Sequence, residues 1–369
     1  MIMWIFILVI ALAAFGGCAL YLASRVFSFP FIRRMAGEKK WKIWLIGLAL
    51  VAGLCCLLTW LLNVINMIIC MLHLAVFWLL FDINDRLRRK IRKRKVRYRA
   101  GYLTILFTIA YLAVAWHIDH HVVMTQYDLT TQKEVGNGMK LVMLADSHMG
   151  TTFGGEEFAQ YLEEIETLSP DVLLICGDFV DDDTTKEDMI RSCQALGETQ
   201  TAYGVYYVFG NHDKGYYQSR DFDAEDLVAE LEKNGVTVLE DEAVLIDDRF
   251  YLIGRQDKSE ESRADMQALT DGLDQTKYMI VLDHQPADYE AQEMCGVDLV
   301  LSGHTHGGQL FPFNRMGQWT GVDDKSYGYE KRSGTDFIVT SGISDWAIKF
   351  KTGCISEYVV IDISQAAAN

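Results

Sequence analysis

Acidic residues are almost absent from the first third of the sequence. Of the 369 residues, positions 1–118 contain only three Asp or Glu but 16 Lys or Arg, whereas the rest contains 47 acidic and 18 basic residues. The two parts therefore carry net charges of +13 and −29. Such a difference indicates parts that fold in different surroundings. The acidic part is not expected to bind nucleic acid, because that binding depends on Lys and Arg neutralising phosphates.

Internal repeats, low-complexity tracts and paired cysteines are also missing. None of the eight cysteines is spaced as Cys-x-x-Cys, so the chain has no such metal or redox motif. Four cysteines lie in apolar runs, where a thiol fills space like a small apolar group. We expect the other four to be buried free thiols, because nothing in the sequence selects a disulfide pair.

Long uncharged apolar runs fill the first third instead. Four of them predict membrane-spanning helices near residues 1–23, 43–62, 64–81 and 101–118, since a spanning helix needs about 20 apolar residues. A secretory signal peptide is the alternative for the first run. Its length, the lack of basic residues before it and the lack of a small-residue cleavage site favour a retained span.

Basic loops predict the orientation of this membrane domain, residues 1–118. Residues 24–42 contain six basic residues and one acidic one, and residues 85–99 contain ten basic ones. Because such loops stay in the cytoplasm, we expect a multi-pass cell-membrane protein whose acidic part is extracytoplasmic. A nucleic-acid patch is the alternative for residues 85–99. Their position between two apolar runs favours a topology signal that contacts anionic lipid.

Short apolar runs recur after a predicted linker at residues 119–138. Polar segments with helical periodicity separate several of them. Continuous apolar strands that alternate with helices are typical of a buried sheet in an α/β domain, which we place at residues 139–369. The predicted strands lie at 141–146, 171–178, 204–211, 236–241, 250–257, 278–284, 297–304, 336–342 and 357–363, and the predicted helices at 156–168, 186–195, 224–234 and 287–294.

Five of these predicted strands end in residues of the types that commonly bind metals. The carboxyl ends of strands are where sites form in α/β sheets, because the loops there converge. Asp-x-His and His-x-His place two side chains on the same side of an extended backbone. The residues concerned are Asp146 and His148, Asp178 and Asp181, Asn211 with His212 and Asp213, His284, and His304 with His306.

This ligand set indicates two transition-metal ions. Mixed Asp, Asn and His ligands suit Mn, Fe or Zn better than Ca²⁺, which prefers oxygen ligands. Two neighbouring ions need a shared anion, for which Asp178 is the candidate. We expect the glycines before Asp178, Asn211 and His304 to adopt positive φ and permit sharp turns.

The ordered set resembles the calcineurin-like metallophosphoesterase superfamily over residues 139–363. Its contexts LADSHMG, LDHQP and SGHTHGGQ look most similar to a membrane-associated branch that includes secreted bacterial phosphoesterases and some UDP-diacylglucosamine pyrophosphatases. The resemblance implies a four-layer α/β/β/α sandwich, here preceded by a bundle of about four transmembrane helices. The matching motifs are Asp146-x-His148, Gly177-Asp178-x-x-Asp181, Gly210-Asn211-His212-Asp213, His284 and Gly303-His304-x-His306.

The resemblance also implies roles for these residues. One divalent ion would be held by Asp146, His148 and His306, and the other by Asn211, His284 and His304, with Asp178 bridging. A hydroxide formed at the metals would attack phosphorus. His212 would serve the leaving oxygen, and Asp213 would orient His212.

The sequence is compatible with several classes of phosphorylated substrate. We expect a metal-dependent phosphoesterase acting on a phosphodiester, pyrophosphate or phosphomonoester that is small, lipid-linked or nucleotide-linked, with the lipid bilayer as its other partner. The alternative is a catalytically inactive membrane sensor or scaffold, although no ligand position is vacant. The aromatic segment 311–329 either forms a wall for a lipid tail or base, contacts the membrane interface or covers the core. Where the branch often has Ser-Arg-Gly-Leu-Gly, this chain has SGISDWAIKF at 341–350.

Overall fold

The computed structural model describes residues 2–37, 39–92, 99–216 and 220–366, and the side chains of these residues other than 2–12 and Arg92. The chain divides into two compact units, Met1–Ala115 and Trp116–Asn369.

The secondary structure of the first unit consists of helices alone over its described residues. Three helices are long and apolar enough to cross a membrane: Lys40–Leu61, Val64–Ile91 and Ala100–Asp119, with mean hydropathies of 2.3, 2.4 and 1.6. They correspond to the second, third and fourth predicted spans. The helices are α1 (Ile2–Arg25), α2 (Pro30–Met35), α3 (Lys40–Leu61), α4 (Val64–Arg92) and α5 (Ala100–Asp119), with a 3₁₀ turn at Val26–Ser28.

The first predicted span, residues 1–23, coincides with helix α1. Residue 1 and the side chains of residues 2–12 lie outside the described part of the chain. Among the described residues, three of the four predicted spans are helices long and apolar enough to cross a membrane. Most of the basic segment 85–99 continues helix α4 as far as Arg92, and residues 93–98 lie outside the described residues.

Side-chain contacts define the ends and the packing of the first unit. The Asn63 Oδ1 atom accepts a hydrogen bond from the Asn66 backbone N–H at 2.8 Å, which satisfies one of the free amides at the start of α4. The Arg25 guanidinium lies 2.6 Å from Asp82. This pair neutralises the acidic side chain that falls next to the predicted third span.

The second unit contains two six-stranded sheets. The strands are β1 (Val122–Thr131), β2 (Met139–Leu144), β3 (Val172–Cys176), β4 (Val205–Val208), β5 (Thr237–Val238), β6 (Glu242–Ile246), β7 (Phe250–Gly254), β8 (Tyr278–Leu282), β9 (Leu299–Ser302), β10 (Gly328–Arg332), β11 (Thr335–Val339) and β12 (Ser356–Gln365). In the first sheet the order is β1-β12-β2-β3-β4-β5, and in the second it is β10-β11-β9-β8-β7-β6.

Three hydrophobic clusters show that the second unit is a four-layer α/β/β/α sandwich. One cluster joins the outer face of the first sheet to three helices, another joins the two sheets, and the third joins the second sheet to two short helices. Because each sheet is covered on both faces, its central strands, such as β3 and β8, are buried and apolar along their whole length. The helices are α6 (Gly155–Glu166), α7 (Lys186–Glu198), α8 (Ala224–Lys233), α9 (Met266–Thr270), α10 (Tyr289–Met294) and α11 (Met316–Thr320).

The segment predicted as a linker, residues 119–138, is part of the folded sandwich. Strand β1 lies within it and pairs in parallel with β12 along ten residues, from Val122 with Ser356 to Thr131 with Gln365. It is an edge strand, and most of its side chains are only partly buried. Its mixed polar composition therefore resembles that of a linker, which explains why the sequence prediction was wrong for these residues.

The five strands with predicted metal ligands are neighbours within their sheets. Strands β2, β3 and β4 lie side by side in parallel in the first sheet. Strands β8 and β9 do the same in the second sheet. Parallel neighbours end at the same edge, so each sheet presents its loops together.

Candidate metal centre

The predicted ligands come together in two groups. The first group is Asp146, His148 and His306, and the second group is Asp178, His284 and His304. Within each group, one possible ligand atom per residue lies within 4.8 Å of the others. Both groups combine strand ends of the two sheets.

The first group has the geometry of side chains that share one ion. The Nε2 atoms of His148 and His306 face each other at 3.3 Å, and both side chains are buried. The buried Asp146 carboxylate lies 3.9 Å from His306 Nε2. The same carboxylate accepts the His304 backbone N–H at 2.9 Å, so Asp146 also fixes the loop that carries His304 of the second group.

Asp178 lies between the two groups. Its Oδ2 atom is 3.1 Å from His284 Nε2 and 3.7 Å from His148 Nε2. Its Oδ1 atom accepts the His212 backbone N–H at 2.8 Å. The structure thus places the predicted bridging carboxylate where it reaches an imidazole of each group.

Asn211 directly precedes His212, whose backbone N–H contacts Asp178 of the second group. Its Nδ2 atom donates a hydrogen bond to the Tyr216 hydroxyl at 2.6 Å, which leaves the Oδ1 oxygen available. Among the described residues, Asn211 Oδ1, His284 Nε2 and His304 Nδ1 are buried without a hydrogen-bond partner, although His284 Nε2 approaches Asp178. A buried polar atom without a partner costs about 1–3 kcal/mol. A divalent cation would satisfy such atoms, so the residues present fit a metal centre.

Two of the imidazoles are held neutral. Burial lowers the pKa of His306 to about 4, and burial together with the charge of His284 lowers the pKa of His304 to about 3. Neutral imidazole is the form that binds transition metals. These two histidines are therefore ready to bind an ion at neutral pH.

The ligands themselves adopt the left-handed conformation that was expected of the glycines. Asp146, His148, Asp178, His304 and His306 all have positive φ, between 38° and 69°. Of the three glycines singled out by the sequence, only Gly177 has positive φ, at 79°. A Cβ atom at Gly210 would meet Asp178 Oδ1 at 2.2 Å, and one at Gly303 would meet Asp146 Oδ2 at 2.6 Å. Those two positions require glycine because the ligand carboxylates pass so close.

Asp213 does not contact the His212 side chain, although the family resemblance implied that it would orient His212. Its buried carboxylate accepts the backbone N–H groups of residues 178, 179, 180 and 210 at 2.7–3.0 Å. Asp181 takes the predicted place, since its carboxylate lies 3.4 Å from His212 Nδ1 and 3.2 Å from His148 Nδ1. Asp213 was the expected partner of His212 because it follows His212 directly in the sequence. Its short side chain instead turns back and holds the loops after β3 and β4 together.

Asp345 is a site residue that sequence analysis missed. Its buried carboxylate lies 3.1 Å from His306 Nδ1 and accepts the Gln309 amide at 2.5 Å. The loop around it is held by the fully buried Lys351, whose ammonium donates to the Ser341 and Ser344 carbonyls at 2.9 and 3.0 Å. The segment SGISDWAIKF contains the acidic residue, but nothing in the sequence pairs it with His306.

The aromatic segment 311–329 is divided between exposed and anchored side chains. Phe311, Phe313 and Trp319 are exposed. The Tyr327 hydroxyl instead donates to Glu357 at 3.0 Å. The nearby cation Lys325 is paired with Glu330 at 3.3 Å.

The family described as calcineurin-like phosphoesterase matches residues 139–308. An uncharacterized metallophosphoesterase of Aquifex aeolicus is 33% identical over 216 residues, which cover 56% of this chain and 78% of that protein. An uncharacterized metallophosphoesterase of Helicobacter pylori is 32% identical over 221 residues, which cover 58% of this chain and 56% of that protein. A bovine transmembrane protein with metallophosphoesterase domain is 33% identical over 196 residues, covering 48% of this chain and 42% of that protein. The matched region thus spans about half the length of the last two relatives.

Proposed function

Because the chain belongs to the calcineurin-like phosphoesterase family, we propose that residues 139–369 form a metal-dependent phosphoesterase. The substrate class is a phosphodiester, a pyrophosphate or a phosphomonoester. The observation that carries this proposal is Asp178, which reaches His148 of the first group and His284 of the second. A single carboxylate between two ligand groups is what a pair of divalent ions requires.

Each proposed ion has its own ligands. Asp146, His148 and His306 would hold one ion, and Asn211, His284 and His304 the other, with Asp178 shared. Mn, Fe and Zn suit this mixture of oxygen and imidazole ligands. When bound, the ions supply charge neutralisation at the phosphoryl oxygens and an activated water.

Of the remaining site residues, His212 would supply a proton, and Asp181 and Asp213 would hold the surrounding groups in position. The Nδ1 atom of His212 faces Asp181, and the His212 side chain is partly exposed, which leaves Nε2 to hold a proton for the leaving oxygen. Asp181 also faces His148 Nδ1, so one carboxylate orients a proposed ligand and the proposed acid together. Asp213 fixes the backbone of both loops through its four hydrogen bonds.

The membrane unit supports a location for this chemistry. Three helices long enough to cross a bilayer precede the domain, and the basic segments between the predicted spans favour a cytoplasmic position for those loops. We therefore place the domain on the extracytoplasmic side of the cell membrane. Tethering to the bilayer supports a lipid-linked or otherwise amphiphilic substrate.

The substitution Asp178→Asn tests the proposal. The full chain in detergent, loaded with Mn²⁺, is expected to hydrolyse bis(p-nitrophenyl) phosphate. The Asn variant should lose more than the ~10–100-fold that removal of an outer-shell partner costs, because the shared carboxylate itself is removed. Asp183→Asn, an exposed carboxylate in the same loop, is the matched control. Undiminished turnover in Asp178→Asn would contradict the proposed centre.

A further inference from the structure

Two exposed aromatic side chains contact the His212 ring. The Trp346 ring centroid lies 5.1 Å from that of His212 and the Tyr216 centroid lies 4.9 Å from it. Trp346 is nevertheless 47% exposed and Tyr216 is 55% exposed. Large aromatic surfaces are normally buried, so two such rings around one proposed catalytic group are a candidate binding surface.

Trp346 is held in place although its ring is exposed. Asp345 and Ser344, which precede it, are fully buried. Asp345 is fixed by Gln309 and His306, and the Ser344 carbonyl accepts a hydrogen bond from the buried Lys351 ammonium at 3.0 Å. The exposed ring therefore stands on a fixed loop, and a ligand that packs on it would find the surface already ordered.

Tyr216 is fixed through polar contacts at both ends. Its hydroxyl accepts the Asn211 amide at 2.6 Å, and its backbone N–H donates to Asp182 at 3.2 Å. Its ring plane stands at 84° to that of His212, whereas the Trp346 plane is tilted by 54°. Both rings thus present fixed apolar surface beside the group that we assign to the leaving oxygen.

We propose that Trp346 and Tyr216 select phosphate esters whose substituent carries a planar aromatic ring. The inference rests on the proposed function, because a phosphoryl group at the two ligand groups brings its ester substituent next to His212. An aromatic ring stacks on Trp346 with a gain beyond the burial of its area, whereas a saturated group of equal size gains only from burial. The ring is that of a nucleobase or of an aryl ester.

Binding of phosphonates to the Mn²⁺-loaded full chain tests this proposal by calorimetry. Phenylphosphonate should bind about three- to tenfold more tightly than cyclohexylphosphonate, which has a similar size but no planar ring. Methylphosphonate gives the affinity of the phosphoryl group alone. The phosphonate analogues of adenosine monophosphate and ribose phosphate form a second pair, and a preference for the adenosine compound would identify a nucleobase.

Variants assign the preference to the ring. Trp346→Leu, which keeps an apolar side chain, and Trp346→Ala should reduce the phenyl-to-cyclohexyl ratio to below about twofold, and Trp346→Phe should retain most of it. Trp319→Ala removes a more exposed tryptophan from segment 311–329 and should leave the ratio unchanged. The melting temperature of each variant shows whether the fold is intact.

The outcomes separate the two proposals. Equal affinities for phenyl- and cyclohexylphosphonate, or an unchanged ratio in Trp346→Leu, would overturn the role of Trp346 while the metal centre stands. Failure of methylphosphonate and of every other phosphonate to bind would remove the proposed function and this inference with it.

Discussion

The two ligand groups of the proposed centre differ in what stands behind their imidazoles. In the first group, carboxylates face the second nitrogen of both histidines, Asp181 at His148 and Asp345 at His306. In the second group, His284 Nδ1 contacts the backbone carbonyl of Cys176 at 2.9 Å instead of a carboxylate. A carboxylate behind an imidazole makes it a more basic and better oriented ligand. The first group should therefore hold its ion more tightly.

The largest expected difference in metal binding is between a variant that lacks one ligand of the first group and a variant that lacks one ligand of the second group. Asp146→Ala should abolish tight metal binding and lower turnover by more than about 100-fold, because it removes a ligand of the first group and the acceptor of the His304 N–H. His304→Ala should lose the weaker ion and keep one tight ion per chain. Elemental analysis after gel filtration measures the metal content. Equal metal loss in both variants would show that the two groups are not different.

Asp345→Asn is expected to produce the next largest effect. Loss of the charge behind His306 should weaken the tight ion by about 10–100-fold, as measured by competition with a chelator. The affinity of the weaker ion provides an internal control, because the His284 imidazole is supported by a backbone carbonyl. If both affinities fall together, Asp345 acts on the whole fold rather than on the first group.

The pH dependence of metal binding should show the smallest difference between the groups. Burial by itself lowers the pKa of His148 and of His284. The Asp181 carboxylate more than offsets this at His148, so the pKa of His148 is raised, and the Asp178 carboxylate raises the pKa of His284 well above its usual value. Each group also contains one histidine whose pKa is lowered, His306 or His304. A metal ion must displace the proton from a histidine whose pKa is raised. The affinity for the ion should therefore rise by about tenfold per pH unit for each proton released.

Calorimetry in buffers of different ionisation enthalpy counts these protons. Each ion is expected to release protons on binding, because each group contains one histidine whose pKa is raised, His148 or His284. Metal binding without proton release at pH 6.5 would contradict this assignment of protonation states.

Strand ends were predictable from the sequence because they are local features. The apolar runs before Asp146, Asp178 and His304 mark strands of a sheet covered on both faces, and the structure brings the residues after them to one place. The four-layer sandwich followed from the family resemblance that these motifs carry.

Contacts made by loops were not predictable. Asp345 reaches His306 from a loop in which the Ser344 carbonyl accepts a hydrogen bond from Lys351, and no spacing in the sequence encodes that contact. The role of orienting His212 was expected of Asp213 and not of Asp181, because motif order does not show where a short side chain turns. Strand β1 was overlooked because an edge strand has the mixed composition of a linker.

Anomalous diffraction from crystals of the full chain soaked with Mn²⁺ tests the central claim most directly. The account predicts two anomalous peaks, one among Asp146, His148 and His306 and one among Asn211, His284 and His304, with Asp178 contacting both. After brief treatment with a chelator, the peak at the first group should remain. A single peak, peaks away from these residues, or an Asp178 carboxylate that contacts neither ion would contradict the account.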